Sequence, residues 1–562
     1  MSKREDGSSA AGGDPKGHRA EDGVDLEGAD LSGVGLGAQS PASFSAQEAV
    51  SGEPINLDPR AGGLGEMLRI ALPSVITMTS YTVMQFGDTW MVSRIEPPDP
   101  VYVAAVGNGG IASWLFASCA LGINSIINTY VSQHLGAGTV QKAPAYAWAG
   151  LWISLVFGLL AIPMVFLVGP MFSAIGHEGR MLELETGYAQ ILFMCSGLLI
   201  AGRSLHHFFY GLHRPKIVMI SAISGNIVNL FVNWVLIYGN LGAPEMGVMG
   251  AAIGTVTGVT IELAIPLALF LGPKMHRELK TRTQWRCGLA PVRDIFRLGW
   301  PGGMMFLNEM LCWSYLMAGL LPLAGMAAAS MALDQTGSYR GVEVVGGANS
   351  EMGARVVEQA GVAANTAGWI ALRFMHASFM PAVGLSFAVT ALVGKAMGMG
   401  RPDIAAARAW LGLKVAVIYM GLCALVFVMF RETLIGVFIK SPDPEDVEAV
   451  RQAAEVLRIG ALVMIAAAVF QVFDAVAITL SAALRGAGDT IWPGVATLAL
   501  SWICIVGLGL VMIELAPQLG SMGPWIAASA YIVALGIALL LRFLAGGWKS
   551  RRVVRDEAPA TL

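Results

Sequence analysis

Charge is what this chain of 562 residues has least of: Asp, Glu, Lys and Arg make up 13% of it, against about 25% in an ordinary soluble domain. With 55% of residues hydrophobic, that shortage excludes a solvated globular surface and leaves a polytopic membrane protein. Cysteine is also scarce. The six present (Cys119, Cys195, Cys287, Cys312, Cys423 and Cys504) fall in apolar segments or in a basic loop, with no CxxC spacing, so they read as packing residues and not as disulfides or metal ligands. The chain lacks HExxH, GxSxG and paired-Asp motifs, and with them the clustered nucleophile, base or metal that an intramembrane enzyme needs. No apolar stretch of about 7–15 residues follows Lys3 and Arg4, so no targeting peptide is expected there. Residues 1–60, rich in Gly, Ser and Asp without apolar periodicity, are expected to form a disordered cytoplasmic tail.

What is present is a series of apolar segments of about 20 residues or more, each long enough to cross a hydrocarbon core of about 30 Å. They predict twelve spans, near 66–93, 102–133, 144–168, 186–210, 217–238, 247–271, 296–321, 366–393, 408–430, 452–484, 491–514 and 523–545. Cations collect after the even-numbered spans: Lys142, then Arg214 and Lys216, then Lys274, Arg277, Lys280, Arg282, Arg286 and Arg293. Lys395, Arg401 and Arg408 continue the series, followed by Arg485 and by Lys549, Arg551 and Arg552. The alternate loops are acidic or neutral, as in EPPDP at 96–100 and DPEDVE at 443–448. The positive-inside rule then places both termini and the 272–295 inter-lobe loop in the cytoplasm.

The two halves resemble each other. LRIALP at 68–73 aligns with FRLGWP at 296–301, an offset of 228, and AWAGL at 147–151 aligns with AWLGL at 409–413, an offset of 262. The difference, 262 − 228 = 34 residues, matches a polar, Gly-rich insertion at 334–367, expected on the external side. Two units that each return to their starting side are parallel repeats, an arrangement found in transporters with a central site between lobes. The expected fold is all-α: twelve transmembrane helices in two pseudosymmetric six-helix lobes, 66–271 and 296–545, with a cytoplasmic tail at 546–562.

Asp88, Glu309 and Asp474 are carboxylates set within apolar stretches of the predicted spans. At bilayer depth each costs about 2.5–3.5 kcal/mol on insertion scales, so a chain with no use for them is expected to lack them. They are candidates for a proton or cation site, the alternative being structural ion pairs or interhelical hydrogen bonds. Glu309 and Asp474 have no Arg or Lys within two helical turns on their own helices, so an ion pair requires a partner from elsewhere.

GDTWMVS around Asp88, VSQHLGAG at 131–138, NLFVNWVLIYGNLGAPEMGVMGAA at 229–252, FRLGWP with Glu309, and FQVFDAVAITLSAALRGAGDT at 470–490 occur in that order. In this sequence of motifs the chain resembles the multidrug and toxic compound extrusion (MATE) family, most closely its NorM branch, across nearly all of 66–545. The resemblance implies a two-lobed antiporter that expels organic cations or other amphipathic compounds while admitting Na+ or H+. It implies that Asp88 serves the amino-terminal lobe, and that Glu309 with Asp474 forms the cation region of the carboxy-terminal lobe, holding Na+ if the protein is sodium-coupled. No cofactor beyond the transported ion and no nucleic acid is expected. A monomer in the plasma membrane, the inner membrane of a bacterium, is. A carboxylate in a low-dielectric cavity can hold a proton or a cation, and competition between those occupants is a coupling mechanism.

There are departures from the family pattern. Phe470 stands where the branch has a Tyr, four residues before Asp474, and lacks the hydroxyl that helps ligate a cation; it remains a candidate cavity residue. AAASMALD at 327–334 is read as the start of the eighth helix, with EMGARVVEQA in the insertion able to form a short amphipathic helix over the outer mouth. Glu262, where the family is apolar, either faces the cavity as a fourth protonatable group or is hydrogen-bonded between helices. Asn229 and Asn233, with Asn226, either line the cavity or join helices. His206, His207 and His213 read as headgroup contacts, and Arg373 with His376 as interfacial snorkelling. A lipid-linked saccharide flippase of the wider superfamily shares the doubled architecture, and is expected to place Arg or Lys in its cavity.

Overall fold

The computed structural model describes residues 63–554 apart from 98, 440–442 and 444; the tail predicted at 1–60 lies outside the described residues. Twelve long helices follow one another: α1 (Gly63–Val92), α2 (Val101–Gly136), α3 (Ala143–Ala174), α4 (Gly179–Gly211), α5 (Pro215–Tyr238), α6 (Gly247–Phe270), α7 (Leu289–Thr336), α8 (Glu351–Gly398), α9 (Pro402–Met429), α10 (Val447–Ala487), α11 (Ile491–Leu515) and α12 (Met522–Leu544). All but α1 are long and apolar enough to cross a membrane by length and composition. One helix coincides with each predicted span. Their ends carry ordinary signals: Asp99, Ser350 and Asp446 cap α2, α8 and α10 through side-chain oxygens, satisfying amides that have no partner within the helix. Gly239 and Gly488, at φ +68° and +89°, stop α5 and α10, where a left-handed residue favours glycine.

The first six helices pack as one lobe and the last six as another, and α1 with α8, and α2 with α7, join them. These joints cluster toward the end of the bundle that carries the basic loops. They are built on glycine: a Cβ on Gly122 would stand 2.3 Å from the Gly302 carbonyl oxygen, one on Gly299 2.3 Å from that of Ile123, and one on Gly384 2.7 Å from that of Ser74. A Cβ on Gly136 would stand 1.9 Å from the Lys395 carbonyl oxygen, and one on Gly398 2.1 Å from that of Gln133. The 262-residue offset relates these last two (136 + 262 = 398), so each repeat presses its equivalent glycine onto the other. Polar ties complete the seal. Gln133 donates to the Gly486 carbonyl at 3.0 Å, Thr129 to that of Arg485 at 2.9 Å, and Arg408 pairs with Glu66 at 2.9 Å. The lobes are closed together at the basic end.

One expectation fails here. Residues 327–334 do not begin the eighth helix; they form the last turns of α7, which continues through a π-helical turn at Leu316–Leu320 to Thr336. A two-stranded turn follows, β1 (Ser338–Tyr339) against β2 (Val342–Glu343) with Ser338 opposite Glu343. EMGARVVEQA is the opening of the continuous 48-residue α8 and not a separate helix over a mouth. The insertion therefore lengthens two helices into an antiparallel arm, whose small residues permit close contact: a Cβ on Gly325 would lie 2.6 Å from the Ala360 carbonyl oxygen. At 1.5 Å per residue, 48 residues span about 72 Å, far more than the hydrocarbon core. The tip docks on the start of α10, where Arg340 and Tyr339 each lie 3.3 Å from Glu455 and Arg451 bonds Gln359 at 3.2 Å.

Candidate functional site

In the carboxy-terminal lobe, α7 is fixed to α11 beside Glu309. Asn308 donates to Ser501 at 2.7 Å and accepts from the Trp502 indole at 2.8 Å. The helix α10 is fixed to α8 beside Asp474, where Gln471 donates to Ser378 at 2.7 Å. Both carboxylates are partly accessible, neither sealed in the core. They act on each other electrostatically, and both act on Tyr531 of α12, whose buried hydroxyl has no hydrogen-bond partner among the described residues. Arg485 acts on Glu309 from three turns further along α10. Among the described residues no Arg or Lys nitrogen forms an ion pair within 4.0 Å of either carboxylate. Two acidic groups so placed can hold a proton or a monovalent cation. No group of three His, Cys, Asp or Glu side chains fit for a resident metal occurs among the described residues.

The two candidate acids of the amino-terminal lobe differ from each other. Asp88, partly accessible on α1, accepts a 2.6 Å bond from the Asn233 amide, a neutral partner that leaves its charge uncompensated. Asn233 is also 3.5 Å from Asn229, which is 3.5 Å from Thr255 on α6. At 0% and 1% exposed, Asn233 and Asn229 join α1, α5 and α6 and do not line an open cavity.

Glu262 is neither a free carboxylate nor a cavity group: it is 6% exposed, and one oxygen, Oε1, receives three contacts. The Tyr81 hydroxyl donates to it, Arg203 Nη1 lies at 3.2 Å and His206 Nδ1 at 3.5 Å. The Arg203 guanidinium also sits 4.1 Å from the centroid of the Tyr81 ring, a favourable cation–π position. The sequence reading missed Arg203, although an arginine inside AGRSLHHFF is the same kind of costly intramembrane charge as the three acids. His206 and His207 are 2% and 7% exposed and so are not headgroup contacts: His206 bridges Glu262 and Ser221, at 3.1 Å from the latter. His213 contacts the Ala391 carbonyl across the lobe joint at 3.2 Å. Phe470 is corrected too, being 4% exposed within the carboxy-terminal core.

The MatE family profile matches residues 73–235 and 351–511. The chain belongs to that family. Its second match begins at the first residue of α8, leaving the α7 half of the arm outside. A probable multidrug resistance protein NorM of Pseudomonas putida is 25% identical over 505 residues, covering 88% of this chain and 97% of that protein. Its counterpart in Mesorhizobium japonicum is 26% identical over 525 residues, covering 92% and 97%. Among solved structures, the eukaryotic MATE transporter AtDTX14 superposes with TM-score 0.70 at 16% identity, over 88% of this chain and 98% of that one. A multidrug resistance MATE family transporter in an outward-facing conformation gives 0.66 at 20% identity, over 91% and 98%. Identities this low show the shared fold. As a member of the family the protein is a multi-pass membrane transporter and not an enzyme.

Proposed function

We propose that this protein is a secondary multidrug efflux antiporter that exports organic cations or other amphipathic compounds in exchange for Na+ or H+. The observation that carries the reading is the pair Glu309 and Asp474: two partly accessible carboxylates on α7 and α10 of one lobe, with no Arg or Lys ion pair within 4.0 Å among the described residues. Such a pair stays ionised beside a bound cation and otherwise relieves its repulsion by taking up a proton. Asp88 is a second acid of the same kind in the other lobe. The bundle is a single protomer in the plasma membrane, the inner membrane of a bacterium, with its basic end and both termini cytoplasmic; closure there makes this the outward-facing state. An incoming ion and an outgoing drug that favour opposite-facing states displace each other, and the shift is limited to their differential affinity for the two states. One elementary charge moving through 100 mV supplies about 2.3 kcal/mol.

The flippase reading needs free cationic groups for a pyrophosphate. Arg203 is committed to Glu262, which counts against it; Arg485, lining a small pocket between α2, α7 and α10 at the closed end, is a cation that reading could use. Vesicles containing the purified protein separate these cases. An imposed Na+ gradient without a pH gradient, then the reverse, is expected to drive efflux of an ethidium-type cation in one of the two conditions. Efflux in neither would end the antiport reading.

A further inference from the structure

On the outer wall of the bundle at its basic end, α3 and the segment joining the lobes flank a groove with a cavity volume of about 380 Å³, within the range of about 300–1,000 Å³ typical of small-molecule sites. Trp152, Val156 and Phe157 form one side; Trp285, Leu289 and Phe296 form the other. Its floor is apolar, and no Asp or Glu stands among its lining residues. Arg286 belongs to the lining, exposed, with its guanidinium carbon 4.6 Å from the centroid of the Trp285 ring. Arg282 and Arg293, also exposed, flank it in the chain.

The groove lies between α3 and the segment that leads into α7. The connecting segment is tied to the amino-terminal lobe, since Trp148 donates to the Thr281 carbonyl at 2.8 Å, Trp152 to that of Trp285 at 3.0 Å and Gln284 to that of Gln141 at 2.5 Å. Three residues after Trp285, Gly288 at φ +70° turns the chain into α7, whose first turns, with Val292, Ile295 and Leu298, pack on the core of the amino-terminal lobe.

We propose that this groove is a binding site for an anionic phospholipid, with an acyl chain between the α3 and α7 walls and the headgroup phosphate on Arg286. Tryptophan at the edge of an apolar surface marks the membrane interface, and basic pockets between transmembrane helices on the cytoplasmic side suit anionic headgroups. A planar guanidinium matches phosphate oxygens two at a time. A soluble anion would have no use for the apolar floor, nor a neutral lipid for the arginine.

The test uses the full-length protein in phosphatidylcholine vesicles containing a brominated quencher lipid. The signal of Trp152 and Trp285 is taken as the difference from a W152F/W285F variant. Brominated phosphatidylglycerol is expected to quench this signal at about fivefold lower mole fraction than brominated phosphatidylcholine, the factor given by one cation near an anionic headgroup. Arg286→Gln should erase the preference, and Arg286→Lys should keep it. If the tryptophan variant fails to fold, total quenching compared between wild type and R286Q gives the same reading. Equal quenching by the two lipids, or a preference that survives R286Q, would overturn the proposal. So would abolition of the preference by glycerol phosphate, which would make the ligand a soluble anion, or displacement of the brominated lipid by an ethidium-type cation, which would make the groove a drug site.

Discussion

Glu262 and Glu309 are both glutamates inside membrane helices, one in each lobe, and they differ in company. Glu262 lies against Arg203, Tyr81 and His206, with 6% of its surface exposed. Glu309 is partly accessible, has Asp474 and the more distant Arg485 as its charged neighbours, and has no cation within 4.0 Å among the described residues. A buried acid already compensated by a guanidinium has no need of a mobile ion; an acid facing another acid has. The role of a charged group in a membrane helix is therefore set by the charge facing it more than by its depth.

The contrast is sharpest for variants that remove a partner. Arg203→Met strands a buried charge, and breaking such a pair costs about 3–5 kcal/mol, toward the lower figure here because the Arg203 side chain is 20% exposed. Denaturant or thermal unfolding in detergent should show the loss, and R203M with Glu262→Gln should recover most of it, since Gln still accepts from Tyr81. An R203M protein as stable as wild type would place Glu262 in the same class as Glu309.

Glu309→Gln and Asp474→Asn should do the reverse, leaving the protein folded while lowering gradient-driven efflux by about 5- to 150-fold, the span of a coupling free energy of about 1–3 kcal/mol. Normal efflux by both variants would remove the distinction from the other side. The closed basic end gives a prediction of similar or smaller size. Gly299→Ala brings a Cβ to 2.3 Å from the Ile123 carbonyl and should disfavour the closed joint by about 1–3 kcal/mol. The readout is faster labelling of a cysteine placed at Ser125 or Ser481, both lining the pocket there; unchanged labelling would mean that α2 and α7 do not form the gate. The smallest effect is expected for Asn233→Ala, which removes a neutral donor from Asp88. At about 0.6 kcal/mol for an interhelical bond in a membrane protein, it should change substrate affinity less than threefold, and a loss as large as that of D474N would make Asn233 part of the ion site.

Much of the architecture was legible because hydropathy and helix length answer to the same bilayer thickness: each predicted span contains one helix. The α7–α8 arm was misread for the same reason. Residues 327–336 and 351–365 are helical without being strongly apolar, and a hydropathy pattern reports apolarity and not helicity. Within the site, the acids could be found because intramembrane charge is costly, a rule that would have found Arg203 had it been applied to cations. Which way Phe470, Asn229 and His206 face was not legible, because in a helix apolar on nearly all sides no stripe marks the packed face.

The most direct test is to titrate a fluorescent cationic substrate onto the purified protein while varying Na+ at fixed pH and pH at fixed Na+, in wild type and in the E309Q/D474N double variant. Substrate affinity should fall in wild type as the coupling ion is added, and should be insensitive to either ion in the double variant. Ion sensitivity that persists in the double variant would show that the exchange takes place elsewhere.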